Sequence, residues 1–105
     1  MPKYLVQGSY TDQGLKGLLK EGGSKRRAMV EQLANEMGGK LESFYYAFGS
    51  DDFVIILDLP SNMDMAATAI VAQASGMVKS RVTVLMTPED VDQAVQRKVD
   101  FRPPE

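Results

Sequence analysis

The chain contains neither cysteine nor histidine, so any chemistry it performs rests on Asp, Glu, Lys, Arg and Tyr. Disulfides, thiol nucleophiles, Cys/His zinc sites, histidine-ligated haem and His-based triads are excluded. Acid–base work would fall to carboxylates, amines or phenols, and a metal would have to be a hard cation on oxygen ligands. Two sets of residues could still form a site. The first is Gln7, Ser9, Tyr46, Asp58, Arg81 and Thr83, polar or amphipathic side chains within strand-like runs. Asp58 stands between Leu57 and Leu59. A carboxylate there must be paired to be buried, and Arg81 is the expected partner. The second set is the run Gly22-Gly23-Ser24-Lys25-Arg26-Arg27, where backbone N–H groups, a hydroxyl and three cations gather at a helix N-terminus that already favours an anion. Cations at that end oppose the dipole preference. The conflict points to a phosphate or carboxylate ligand, or to acidic side chains from another part of an assembly. The same run is also an ordinary hinge and cap, and it does not match the P-loop spacing. Asp51 and Asp52 beside Ser50 read as turn residues, so no metal and no cofactor are expected.

The elements that must position these residues follow from periodicity. Lys3 to Tyr10 alternates as a strand. Thr11 caps a short helix carrying Leu15, Leu18 and Leu19, which Gly22 and Gly23 interrupt. Ser24 is expected to cap a second helix with the stripe Met29, Val30, Leu33 and Met37, ended by Gly38 and Gly39. Lys40 to Phe48 and Asp52 to Leu59 form a hairpin around Gly49. Ser61 with Asp64 starts a small-residue helix over Met63 to Ala74, expected to pack tightly on the sheet. Val78 to Met86 is a fourth strand, and Thr87-Pro88-Glu89-Asp90 starts a last helix. The order β-α-β-β-α-β-α predicts an α+β fold, a ferredoxin-like four-stranded antiparallel sheet with an appended C-terminal helix. The domain is expected over residues 1–98, with a Pro-rich tail over 99–105.

That arrangement places both long helices on one face of the sheet. Giving the helices the more apolar side of each strand leaves Leu5, Gln7, Ser9, Phe44, Tyr46, Phe48, Val54, Ile56, Asp58, Arg81, Thr83 and Leu85 on the other. Because Asp52 to Leu59 is apolar on both sides, a second copy is the expected cover, giving a homodimer or higher assembly with a cavity between the sheets. With 105 residues the chain has room for one core. A net charge of −2, from twelve basic and fourteen acidic residues, excludes a broad nucleic-acid-binding surface. No apolar run reaches membrane-spanning length and no signal core is seen, so a cytoplasmic protein is expected.

The chain resembles the GYD-domain family, named for a Gly-x-Tyr-Asp turn. The resemblance is carried by Y-L-V-Q-G-S-Y-T, G-G-S-K-R-R, A-F-G, V-I-I-L-D-L-P and V-T-V-L-M-T-P-E, and it extends to about Val91. At the turn Gly49 and Asp52 match, while Asp51 stands where the family has Tyr. The resemblance implies a dimeric α/β-barrel assembly and carries no activity with it. Three functions are consistent with the residues. The first is a binding module for a small acidic metabolite, in the inter-sheet cavity or at the glycine turn. The second is a cofactor-free oxygenase or isomerase of the α/β-barrel type; the lack of His and Trp weighs against it. The third is a ligand-free assembly protein.

Overall fold

The computed structural model describes residues 1–104. Strand β1 (Lys3–Tyr10) is followed by helices α1 (Asp12–Glu21) and α2 (Gly23–Glu36). Strands β2 (Lys40–Tyr46) and β3 (Phe53–Asp58) form the hairpin, and α3 (Asn62–Ala74), β4 (Val78–Leu85) and α4 (Pro88–Val95) complete the chain. The four strands lie in the order β2-β3-β1-β4, every neighbouring pair antiparallel. The α+β class and the ferredoxin-like arrangement are those the sequence predicts. Among the described residues no helix is long and apolar enough to cross a membrane. Val99–Pro104 carry no helix or strand; Glu105, the last residue of the expected tail, lies outside the described residues.

Local signals account for most boundaries. Thr11 caps α1 by accepting from the Gly14 N–H, and Gly22, at φ 85°, ends it by donating to the Leu18 carbonyl. The same Gly22 is the N-cap of α2, which has no side-chain cap; Ser24 lies inside the helix, one residue past its start. The expected Ser24 cap is therefore not made, because α1 runs on to Glu21 and a single glycine turns the chain. Gly38, at φ 84°, provides the left-handed exit from α2. Ser61 caps α3, and Thr87 with Asp90 forms a reciprocal capping box at α4.

The core lies between the sheet and the helices. Tyr4 and Val6 of β1 and Phe53, Ile55 and Leu57 of β3 are buried together with Leu59, Ala34 of α2 and Met65 of α3. Each large side chain among them contributes roughly 1.5–3 kcal/mol by leaving water, before ordering entropy. Leu5, Val54 and Ile56 alternate with these residues and face the opposite side of the sheet, which no helix covers.

The parity expected for β2 is overturned. The ladder steps from Leu41↔Leu57 to Ser43↔Ile56, a bulge at Glu42, so Phe44 pairs with Ile55 and Tyr46 with Phe53. One extra residue reverses which side chains face the core. Phe44 and Tyr46 therefore sit under the helices and pack on the core. Tyr45 takes the open face and is 70% exposed. Phe48 has left the strand at φ 54° and stacks on Tyr46, with ring centroids 5.7 Å apart.

Candidate functional site

Helix α2 packs over β2 and α3 over β4, the two edge strands. The strip above β1 and β3 is left with incomplete cover. An apolar cavity of about 300 Å³ lies there, walled by Ile55 and Leu57 from the sheet, Val30 and Leu33 from α2, and Ala69 and Ala72 from α3. The alanines explain the space. Met65, Ala69 and Ala72 lie on the inward face of α3, where a Leu at either alanine would extend into the cavity. Ile70 and Val71 of the same helix point away and are 68% and 71% exposed. The small residues of α3 thus open a gap above the sheet where the sequence reading expects close packing.

The two ends of the cavity differ in chemistry. Near the C-terminus of α2 the Thr68 hydroxyl lies 3.0 Å from the Met37 sulfur and donates to the Asp64 carbonyl at 2.8 Å. At the other end, Tyr10 closes β1 and packs on Phe53 with centroids 5.2 Å apart. Arg26, on the first turn of α2, lies with its Cζ 5.8 Å from the centre of the Tyr10 ring. The guanidinium passes close to α1 at Gly17, where a Cβ would collide with its terminal nitrogen. Its Nε is buried without a hydrogen-bond partner, and among the described residues no carboxylate lies within ion-pair distance of it. Burial, then the neighbouring Tyr46, pushes the Tyr10 phenol well above its ordinary value, outweighing the lowering by Arg26. Tyr10 therefore lines the cavity as a neutral phenol beside Tyr46. Tyr46 holds the α2 start in place by donating to the Gly23 carbonyl at 3.0 Å.

The residues expected from sequence separate into three places. Gln7, Ser9, Arg81 and Thr83 share the open face: Gln7 pairs with Arg81, Leu5 with Thr83 and Ser9 with Lys79 across the β1–β4 ladder. Asp58 shares that face at its far end and is only 4% exposed, but its partner is Lys3, whose Nζ donates to its two oxygens at 3.0 and 3.2 Å. Lys40 stands 3.8 Å away. Lys3 also donates to Glu42 at 2.6 Å, and the Glu42 hydrogen bond, followed by that to Asp58, raises its pKa. The expected Asp58–Arg81 pair is not formed. Arg81 instead makes a two-pronged contact with Asp51, at 2.9 and 2.8 Å. Register explains the exchange, since Asp58 pairs with Lys3 at one end of the sheet while Arg81 sits opposite Gln7, toward the hairpin turn. Tyr46 is on the other face altogether.

The glycine-turn set does not converge either. Lys25, Arg26 and Arg27 are consecutive on a helix and project about 100° apart. Of the three, Arg26 alone lines the apolar cavity, while Arg27 borders a shallow polar cleft with Glu31 and Glu42. The Gly22 N–H is already engaged with Leu18 at 2.7 Å. At the hairpin turn, Asp52 is a structural tie: its carboxylate accepts from the Tyr10 N–H at 2.9 Å and its own N–H donates to the Gly8 carbonyl at 2.7 Å. Gly49 has open space where a side chain would stand.

The GYD-domain profile matches residues 4–95. The chain belongs to the GYD-domain family. No curated protein and no solved structure matches it. In this GYD domain Asp51, at the hairpin turn, supplies the carboxylate that clamps Arg81. Sequence reasoning missed the cavity and the part Tyr10 plays in it. The available signal was the pair Ala69 and Ala72 on the inward face of α3, opposite a helix whose own inward residues are spaced for one face.

Proposed function

We propose that this GYD domain is a cytoplasmic, homo-oligomeric binding module for a small acidic metabolite with an apolar body, held between the helices and the sheet. The observation that carries the reading is Arg26: a guanidinium with a buried, unpartnered Nε at one end of an otherwise apolar cavity. A guanidinium has five donors and no acceptor, and leaving donors buried and unmet costs about 1–3 kcal/mol. A carboxylate meets them in pairs. Tyr10 lines the same end as a neutral phenol. Arg26 and Met37 mark the two ends of the cavity on α2, eleven residues and roughly 16 Å apart at 1.5 Å per residue. That favours an elongated molecule with its charge at one end. This site replaces the inter-sheet cavity as the place for the metabolite, and it makes Arg26 the working member of the glycine-turn set.

The same reading includes a second copy on the open face of the sheet, where Leu5, Val54, Ile56 and Leu85 lie on the side that no helix covers. Calorimetry and thermal shift with octanoate, decanoate and phenylacetate, each against its alcohol, test the ligand class. Acids should raise the melting temperature and alcohols should not, and Arg26→Gln should abolish the difference. Equal responses to acid and alcohol would remove the anion from the proposal. A response to neither would remove the site.

A further inference from the structure

Helix α4 is well started but has no extensive packing against any other element among the described residues. Its capping box is complete, yet none of its side chains is buried, and Val91 and Val95, one turn apart, are 47% and 76% exposed. Eight residues are too few for a helix to persist alone in water, where about 12–15 are needed even for good helix formers. The segment therefore requires a surface. The proportions of the chain agree: its radius of gyration is 16.7 Å, against about 13 Å for a compact domain of this length. Its accessible area is 7567 Å², against roughly 5,800 Å² for a compact chain of this mass. The excess on one chain is about twice the roughly 800 Å² that each partner buries in a standard protein–protein interface.

A surface of matching chemistry exists on α1 and the start of α2. Leu15 and Leu19, again one turn apart, are 38% and 87% exposed. Around them, residues 15–27 carry Lys16, Lys20, Lys25, Arg26 and Arg27 against the single acid Glu21. Lys16, Lys20, Lys25 and Arg27 have no ion-pair partner among the described residues. The opposing α4 carries Glu89, Asp90 and Asp92 and no cation. The chain does not join these surfaces within itself in this structure, where no side chain of α4 is buried. The β1–β4 ladder runs from Tyr10↔Val78 to Lys3↔Leu85, so α1 leaves one end and α4 the other, roughly 23 Å apart at 3.3 Å per residue. The two residues Met86 and Thr87 reach only about 7 Å.

We propose that α4 of one copy docks on α1 and the first turn of α2 of a second copy, with Val91 and Val95 against Leu15 and Leu19 and the acids of α4 facing Lys16, Lys20, Lys25 and Arg27. The occupant is another copy because it alone supplies both surfaces, and reciprocal exchange closes the pair. Opposite charges along two short helices also set which surface is chosen and give the contact a salt dependence.

The test uses full chains carrying cysteine, which the natural sequence lacks. A Val95→Cys chain mixed with a Leu19→Cys chain and oxidised should give the mixed disulfide above the statistical share of like pairs. In sedimentation, Glu89→Lys with Asp92→Lys should weaken self-association at least tenfold, and mixing with a Lys16→Glu, Lys20→Glu chain should restore it. Like-pair disulfides only, or charge reversal without effect on association, would overturn the proposal. So would a doubly substituted chain that closes its own disulfide at nanomolar concentration, since α4 would then lie on its own α1. These variants leave Arg26 and the cavity untouched, so carboxylate binding succeeds or fails independently of the docking.

Discussion

The cavity predicts an exchange of stability against binding, and Ala69→Leu measures it. Ala69 lines the space from α3 and is already packed at the margin of the core. A leucine there adds three carbons. At about 0.8 kcal/mol per buried methylene they offer roughly 2.4 kcal/mol, and fixing the longer side chain returns about 0.5–1 kcal/mol. The variant should be more stable by about 1.5 kcal/mol, which for a domain of this size is a rise of roughly 6–12 °C in Tm. Urea unfolding followed by circular dichroism gives the free energy directly, and an unchanged m-value would show that the unfolded state is not the source. The same variant should lose decanoate binding, because its methyl groups occupy the ligand's place. A loss of 1–3 kcal/mol instead, the usual consequence of overpacking, would mean that the space between α2 and α3 is closed in solution. The cavity argument would then fail.

Further outcomes follow from contacts elsewhere. In Gly14→Ala the new Cβ would strike the Met77 carbonyl, part of the backbone and unable to swing aside, so the start of α1 must separate from β4; chemical denaturation should show a loss of several kcal/mol. Asp58→Asn removes the more buried carboxylate facing Lys3 and should destabilise by about 1.5–3 kcal/mol, the range for a hydrogen bond to a charged group. The Tyr10 phenol is raised in the folded state, so its contribution is intact below the unfolded value near pH 10 and is lost as pH rises through the higher folded value. Absorbance titration should show a late-ionising phenol that Tyr10→Phe removes. Asp51 is held below the ordinary carboxylate value by the Arg81 hydrogen bond, so its contribution is present above about pH 3.9 and fades as pH falls through the lower folded value. Arg81→Gln should remove that part of the acid dependence.

The fold was legible because its signals are local and repeated. Alternation in Lys3–Tyr10, the acids and Pro88 after Thr87, and the glycines after Met37 each fix an element without reference to the rest of the chain. What escaped depended on pairing between distant residues. The Glu42 bulge cannot be read from β2 alone, since the shift is defined only against β3. The same holds for Arg81, whose choice of Asp51 over Asp58 follows from strand register. Nor does a small-residue helix announce whether it closes on the sheet or stands off beside a neighbour. The cavity became visible only when α2 was seen over one edge strand and α3 over the other. Of the basic run, the sequence supplied the charge and not the direction: helical geometry turns Arg26 inward and sends Lys25 and Arg27 elsewhere.

The bulge at Glu42 makes β2 sensitive to counting. Removing that residue would bring Phe44, Tyr45 and Tyr46 back by one step, rotating two rings into solvent and Tyr45 against α2. The hydroxyl that fastens the beginning of α2 would then be on the wrong side of the sheet. Replacing Glu42 by another amino acid alters only its tie to Lys3, while deleting it reverses the strand from that point to the turn. Between Leu41 and Phe44 the number of residues is therefore a stricter requirement than their identity.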